Sequence, residues 1–145
     1  MTTVLLSGAS GFIALHTVQE LIKNGYTVVG SVRSPEKGEY VKKACGNPEK
    51  FTYEIVKELS EDGAFDEFVK KHPEATAFLH TASPFFFDVT DIENQLLQPA
   101  IKGTTSALQS IKDYGPNIKS VVITSSYGAI ASYEMDQQAG KGMSG

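Results

Sequence analysis

A parallel α/β sheet, doubly wound with helices on both faces, is the fold class this sequence predicts, and three observations predict it. Short β-branched runs alternate with amphipathic helical stretches along the chain. Three of the runs, Val4-Leu5-Leu6, Thr27-Val28-Val29 and Val121-Val122-Ile123, are continuously apolar, the pattern of strands covered on both faces. A glycine-rich turn joins the first run directly to the first helical stretch. The resulting order is β-α-β-α-β-α-β-α-β with right-handed crossovers.

The first helix is marked by Ile13, Ala14, Leu15, Val18, Leu21 and Ile22 at helical spacing, with Gly25 as its C-terminal stop. Residues 51–56 and 75–79 are weaker strand runs, and 34–45 and 61–72 read as shorter, polar helices. After Asp91 the helical stretch is long, with Leu97, Ile101, Thr104, Leu108 and Ile111 on one stripe. Pro99 should bend that helix or mark an early break. Apolar periodicity stops after Ser132, so residues 1–132 read as one domain and 133–145 as a loop or mobile tail.

Composition sets the outer limits. The 145 residues carry 13 Lys+Arg against 17 Asp+Glu, a net charge of −4, with 41% apolar residues. A chain of this size buries about two-thirds of its unfolded surface, enough for a core without staples. No apolar run approaches the ~20 residues that span a bilayer. Met1-Thr2-Thr3 carries no basic n-region, so no secretory signal is expected. Mild acidity argues against nucleic acid or an anionic membrane as partner. The single Cys45 forbids an internal disulfide and fits a reducing compartment, so a cytoplasmic location is expected.

The glycine turn, Ser7-Gly8-Ala9-Ser10-Gly11-Phe12-Ile13-Ala14, carries the first chemical signal. A phosphate needs close backbone approach and outward N–H groups, and a helix N-terminus supplies both with a partial positive charge. Gly8 permits the tight turn, Gly11 removes a side chain beside a pyrophosphate, and Ala14 lets the helix pack near the strand. This is a Rossmann-type dinucleotide turn; the plainer reading is a βα turn with small residues for packing. An NAD site carries an acidic residue at the end of the second strand to bind the ribose 2′-hydroxyl. Positions 30 to 35 hold none; Arg33 and Lys37 stand there instead. A guanidinium fork and a second cation suit a 2′-phosphate, which favours NADP over NAD.

Four segments, SGASGFIA (7–14), SVRSPEK (31–37), HTASPFFFD (80–88) and VVITSSYGA (121–129), together resemble the extended short-chain dehydrogenase/reductases. Among these, the chain is most similar to the fungal NADPH-dependent methylglyoxal, aldehyde and ketone reductases, relatives of dihydroflavonol reductase. The resemblance covers residues 3 to 132 and implies a sheet of order 3-2-1-4-5. It implies that Gly8, Ala9, Ser10, Gly11, Phe12 and Ile13 form the pyrophosphate turn, and that Arg33 and Lys37 hold the 2′-phosphate of NADPH. Glu58-Leu59 falls where the family places Asp and an aliphatic residue at the adenine, so Glu58 departs from the pattern. Thr81 and Ala82, with Ser83, would pass beside the cofactor ribose and nicotinamide. Ser126 matches the catalytic serine, whose hydroxyl would polarise a substrate carbonyl as hydride arrives. Phe85 and Tyr127 would line an apolar substrate pocket, or one or two of Phe85-Phe86-Phe87 would anchor a loop.

Other candidates are weaker. His16, His72 and His80 form no metal constellation, and His80 reads as a core or strand-end histidine. Cys45 has no base near it in sequence, and Gly140-Lys141 lacks the flanking residues of a phosphate loop.

The family's proton donor is a Tyr four residues before a Lys, where the cation lowers the phenol pKa. After Ser126 no such pair occurs: Tyr127 is followed four on by Ala131, and Tyr133 by Gln137. Tyr53 and Lys57 have the spacing but fall in or beside the third strand, remote from the expected nicotinamide. A sheet ending at the fifth strand also leaves Val121, Val122 and Ile123 as a partly bare apolar edge. The sequence is therefore expected to be the N-terminal part of a longer enzyme reducing aldehydes, ketones or 2-oxoaldehydes. Its rivals are a non-catalytic NADPH-binding regulatory module and an epimerase or dehydratase of the same superfamily.

Overall fold

The computed structural model describes residues 2–82 and 90–126. Five strands, β1 (Thr3–Ser7), β2 (Thr27–Val32), β3 (Phe51–Ile55), β4 (Ala75–His80) and β5 (Ser120–Ile123), form one sheet in the order β3-β2-β1-β4-β5. Every neighbouring pair is parallel. The helices are α1 (Phe12–Lys23), α2 (Pro35–Ala44), α3 (Asp66–Lys70) and α4 (Gln98–Tyr114). Fold class and strand order are those expected from the sequence. Among the described residues, no helix is long and apolar enough to cross a membrane.

The alternation of side chains along β1 explains the two cores. Leu6 packs on the side of α1 and α2 with Ala14, Val18, Val28, Val41 and Phe51. Leu5 packs on the opposite side with Phe65, Phe68, Phe78, Ala107 and Ile111, under α3 and α4. Right-handed crossovers dictate this split, because the chain winds toward β3 first and then returns past β1 to β4. Strand order reverses between β1 and β4, which opens a crevice at the carboxyl ends of those two strands.

Local sequence accounts for the helix ends. Gly25, at φ 90°, follows α1, and the Gly25 and Tyr26 N–H groups donate to Ile22 and Leu21 carbonyls, both at 3.0 Å. That is a Schellman closure. The expected helix over 61–72 is confined to Asp66–Lys70, because Gly63 at φ 74° places a turn inside its first half. The long fourth helix does break near Pro99: a π-helical turn, Glu93–Leu97, precedes Gln98–Tyr114. Proline lacks an N–H and crowds the carbonyl four residues back, and a wider turn accommodates both defects. Small residues on α4 permit close packing. Ser106 Oγ donates to the Glu61 carbonyl at 3.0 Å and Ser110 Oγ to Asp66 Oδ1 at 2.6 Å.

β5 departs from its apolar reading as a strand covered on both faces. Val121, Val122 and Ile123 are 39%, 57% and 43% exposed, because among the described residues β5 has one strand neighbour and α4 covers part of one side.

Candidate functional site

The site is built where the β1–α1 turn meets the end of β4. Gly8 has φ 69°, and a Cβ placed on it would lie 2.9 Å from Ala82 Cα and Cβ. Only glycine fits that backbone and that gap. Gly11 N–H donates to the Gly8 carbonyl at 3.0 Å, and Gly11 then serves as the N-cap of α1. No side chain caps α1 and its first turn carries no acidic residue, so its free amides and positive end are left for an anion.

β2 supports the turn from beneath. Ser31 accepts twice, from Ala9 N–H at its carbonyl (2.9 Å) and from Gly8 N–H at its hydroxyl (3.1 Å). Ala9 is buried over Gly30, where an added Cβ would come within 2.5 Å of the Ala9 Cβ. The opposite wall is organised by Ser7. Its hydroxyl accepts from Thr81 N–H (3.1 Å) and Ala82 N–H (3.2 Å) and contacts His80 Nδ1 at 2.8 Å. Thr81 Oγ1 donates to the Ser7 carbonyl.

Arg33 and Lys37 are both exposed beyond the end of β2. Ser34 caps α2 by accepting from Lys37 N–H at 3.5 Å, with Pro35 in the first helical position. Glycine turn, β4 end and basic pair converge on one cleft of about 240 Å³.

Eight residues expected from the sequence line this cleft: Gly8, Ser10, Gly11, Arg33, Lys37, Leu59, Thr81 and Ala82. Phe12 and Ile13 do not. They border an open groove along α1 with His16, Leu21 and Tyr26, and Phe12 is 80% exposed. Glu58 is also absent from the lining. Its carboxylate accepts from Ser60 N–H (3.1 Å) and Ser60 Oγ (2.7 Å). These bonds, with the charge of Arg33 as a smaller contribution, hold Glu58 below the usual carboxylate range.

Ser126 is exposed and lies outside the cleft lining, three residues past Ile123. Ile123 pairs with His80 and Thr124 N–H donates to the His80 carbonyl at 3.0 Å, so this segment leaves the sheet at the cleft's edge. Tyr53 stands on β3, at the opposite edge of the sheet from β5, and its hydroxyl donates to Glu39 Oε1 at 2.7 Å. Phe85, Tyr127, Ser83 and the expected tail over 133–145 lie outside the described residues.

Sequence reasoning missed Ser31, Val32 and Val56, which complete the lining. The interruption of the apolar β2 run by Gly30-Ser31 was the available signal for Ser31. Val32 and Val56 are apolar strand-end residues, and nothing in their types distinguishes cleft from core.

A phosphate-ready turn at a topological switch point narrows the families that fit, and one decides it. The family model described as NAD dependent epimerase/dehydratase family matches residues 4–141. The chain belongs to that family. Within the epimerase/dehydratase family it is 60% identical over 136 residues to a Candida albicans protein provisionally named an NADPH-dependent methylglyoxal reductase, covering 91% of this chain and 40% of that one. It is 48% identical over 130 residues to the NADPH-dependent methylglyoxal reductase of Saccharomyces cerevisiae, covering 88% of this chain and 38% of that one. The crystal structure of Gre2 from Candida albicans in complex with NADPH superposes with a TM-score of 0.88 at 51% identity, covering 92% of this chain and 40% of that one. The chain thus spans about 40% of the length of these epimerase/dehydratase family members.

Proposed function

We propose that this chain binds NADPH in the cleft at the carboxyl edge of its sheet and forms the cofactor half of a carbonyl reductase. The observation that carries the reading is the convergence of an uncapped helix N-terminus, the Gly8–Gly11 turn and the Arg33–Lys37 pair on one cleft. The residues present fit the group: a Cβ at Gly8 would meet Ala82, and the two cations are exposed beyond β2. In this reading the turn from Gly8 to Ile13 binds the pyrophosphate, with the Gly8, Ala9 and Gly11 amides spent on shaping the turn and those of Ser10, Phe12 and Ile13 as donors. Arg33 with Lys37 bind the 2′-phosphate. Leu59 and Val56 offer apolar surface to the adenine, and Thr81 with Ala82 fix the ribose side.

The bound dihydronicotinamide supplies the hydride. Ser126, three residues past the end of β5, holds and polarises the oxygen of a small aldehyde, ketone or 2-oxoaldehyde through its hydroxyl. Phe85 and Tyr127 are assigned to the apolar side of that pocket. Within these 145 residues the Tyr-x-x-x-Lys proton donor does not follow Ser126, so this chain alone should bind cofactor without turning over. Cytoplasmic placement accords with the lone Cys45.

Titrating the chain with NADPH and, in parallel, NADH, following cofactor fluorescence, tests the reading. Saturable binding that favours NADPH is expected. Absence of binding, or equal affinity for the two, overturns it.

A further inference from the structure

The Ser7 hydroxyl is in contact with three nitrogens, and the count of its protons and lone pairs fixes their roles. A serine hydroxyl donates one hydrogen and accepts two. The Thr81 and Ala82 amides are obligatory donors and occupy both lone pairs, at 3.1 and 3.2 Å. The hydroxyl hydrogen therefore goes to His80 Nδ1, 2.8 Å away. Nδ1 must be bare, so the ring hydrogen of neutral His80 is on Nε2.

We propose that His80, in this neutral form, is a positioning residue for the dinucleotide cleft: by taking the Ser7 hydrogen it frees Ser7 to hold Thr81 and Ala82 against Gly8. The inference rests on the NADPH-binding reading above. A proton on Nδ1 would present a third donor to an oxygen with two lone pairs and leave the hydroxyl hydrogen without an acceptor. Ser7 would then release an amide of a residue that lines the cleft. Ala82 is the atom group whose closeness makes glycine necessary at position 8.

The surroundings of His80 favour the neutral ring. It is 4% exposed, with the Phe65 and Phe78 rings at centroid distances of 6.1 and 6.5 Å. From α4 and β5 it meets Thr104, Ala107, Leu108 and Ile123, around a small gap. None of these is charged, and Asp66, next in the chain to Phe65, has its carboxylate held by Ser110 Oγ at 2.6 Å. Burial pushes the imidazole pKa down. Among the described residues of β1, β4, β5, α4 and the stretch before α3, no negative charge offsets that burial.

The test uses the whole chain and NADP⁺ as probe. Two-bond proton–nitrogen spectra of His80 should show hydrogen on Nε2 and a bare Nδ1 at neutral pH. His80→Asn retains an acceptor near the Nδ1 position and cannot ionise. It should bind NADP⁺ within about threefold of the unaltered chain at pH ~7, whereas His80→Leu should lose about tenfold. Below pH ~6.5 the unaltered chain should lose affinity more steeply than His80→Asn. The comparison is needed because the 2′-phosphate itself titrates near pH ~6 in both. Hydrogen on Nδ1, or identical pH profiles, overturns the inference. If the unaltered chain binds no NADP⁺, the cofactor reading fails, and the spectra with the Thr81 and Ala82 amide shifts through the His80 titration still decide the positioning. Amide shifts that stay fixed through that titration also overturn it.

Discussion

Gly8 and Ala82, 74 residues apart in the chain, meet so closely that a single added carbon on Gly8 would stand 2.9 Å from the Ala82 backbone. Gly8→Ala therefore incurs two costs, left-handed backbone strain and overpacking. Together they should destabilise the fold by about 2–4 kcal/mol. Gly25→Ala is the control: it shares the positive φ but has nothing within 4 Å, so it should show the strain alone. Urea unfolding of both variants checks the difference.

Arg33 stands beyond β2 beside the cleft, in the place where an acidic residue would select NAD. Arg33→Ala should weaken NADPH binding by about 10- to 100-fold and leave NADH nearly unchanged. Parallel fluorescence titrations read the ratio; an equal loss for both cofactors would contradict a 2′-phosphate role.

Glu58 is held ionised chiefly by Ser60 and lies close enough to Arg33 to feel its charge. An ionised carboxylate there competes with a 2′-phosphate for the guanidinium. Glu58→Gln should tighten NADPH binding by about two- to fivefold at low salt, with the gain shrinking as ionic strength rises. Titrations at two salt concentrations check both statements.

The pH dependence of stability should carry the mark of His80. Burial lowers its pKa in the folded state, so the unfolded chain takes up a proton first as pH falls. Its contribution is fully present above the unfolded value of about 6.5 and is lost as pH falls from there through the folded value. Denaturant midpoints across that range should decline more gently in His80→Asn.

Among the described residues β5 is an edge strand with apolar side chains open to a neighbour, Val122 being 57% exposed. A lysine there blunts pairing between edges without filling a core position. Val122→Lys should reduce concentration-dependent self-association by light scattering and leave the unfolding midpoint within about 0.5 kcal/mol.

The succession of strands and helices, the turn and the basic pair were legible because each rests on short-range rules: apolar run lengths, a glycine where φ is positive, cations where an acid is missing. The order of strands in the sheet came only with the family resemblance. The supports of the cleft were not. Gly30 reads as a weakness within a strand until Ala9 is seen packed 2.5 Å from where its Cβ would be. Ser7 reads as a strand terminus until the amides of Thr81 and Ala82 arrive on its hydroxyl. Glu58 had the right position for an adenine contact, but Ser60, two residues on, engages its carboxylate locally. Such pairings depend on which strands become neighbours, and no local pattern encodes that.

The bonds on Ser7 join positions 73 to 75 residues apart. A chain emerging during synthesis has its glycine turn early and acquires the opposing wall only once β4 has docked beside β1. Loop closure over that span is slow relative to local helix formation. Cofactor capture should consequently lag behind helix formation in refolding, making nucleotide fluorescence a clock for the moment when the two halves of the sheet meet.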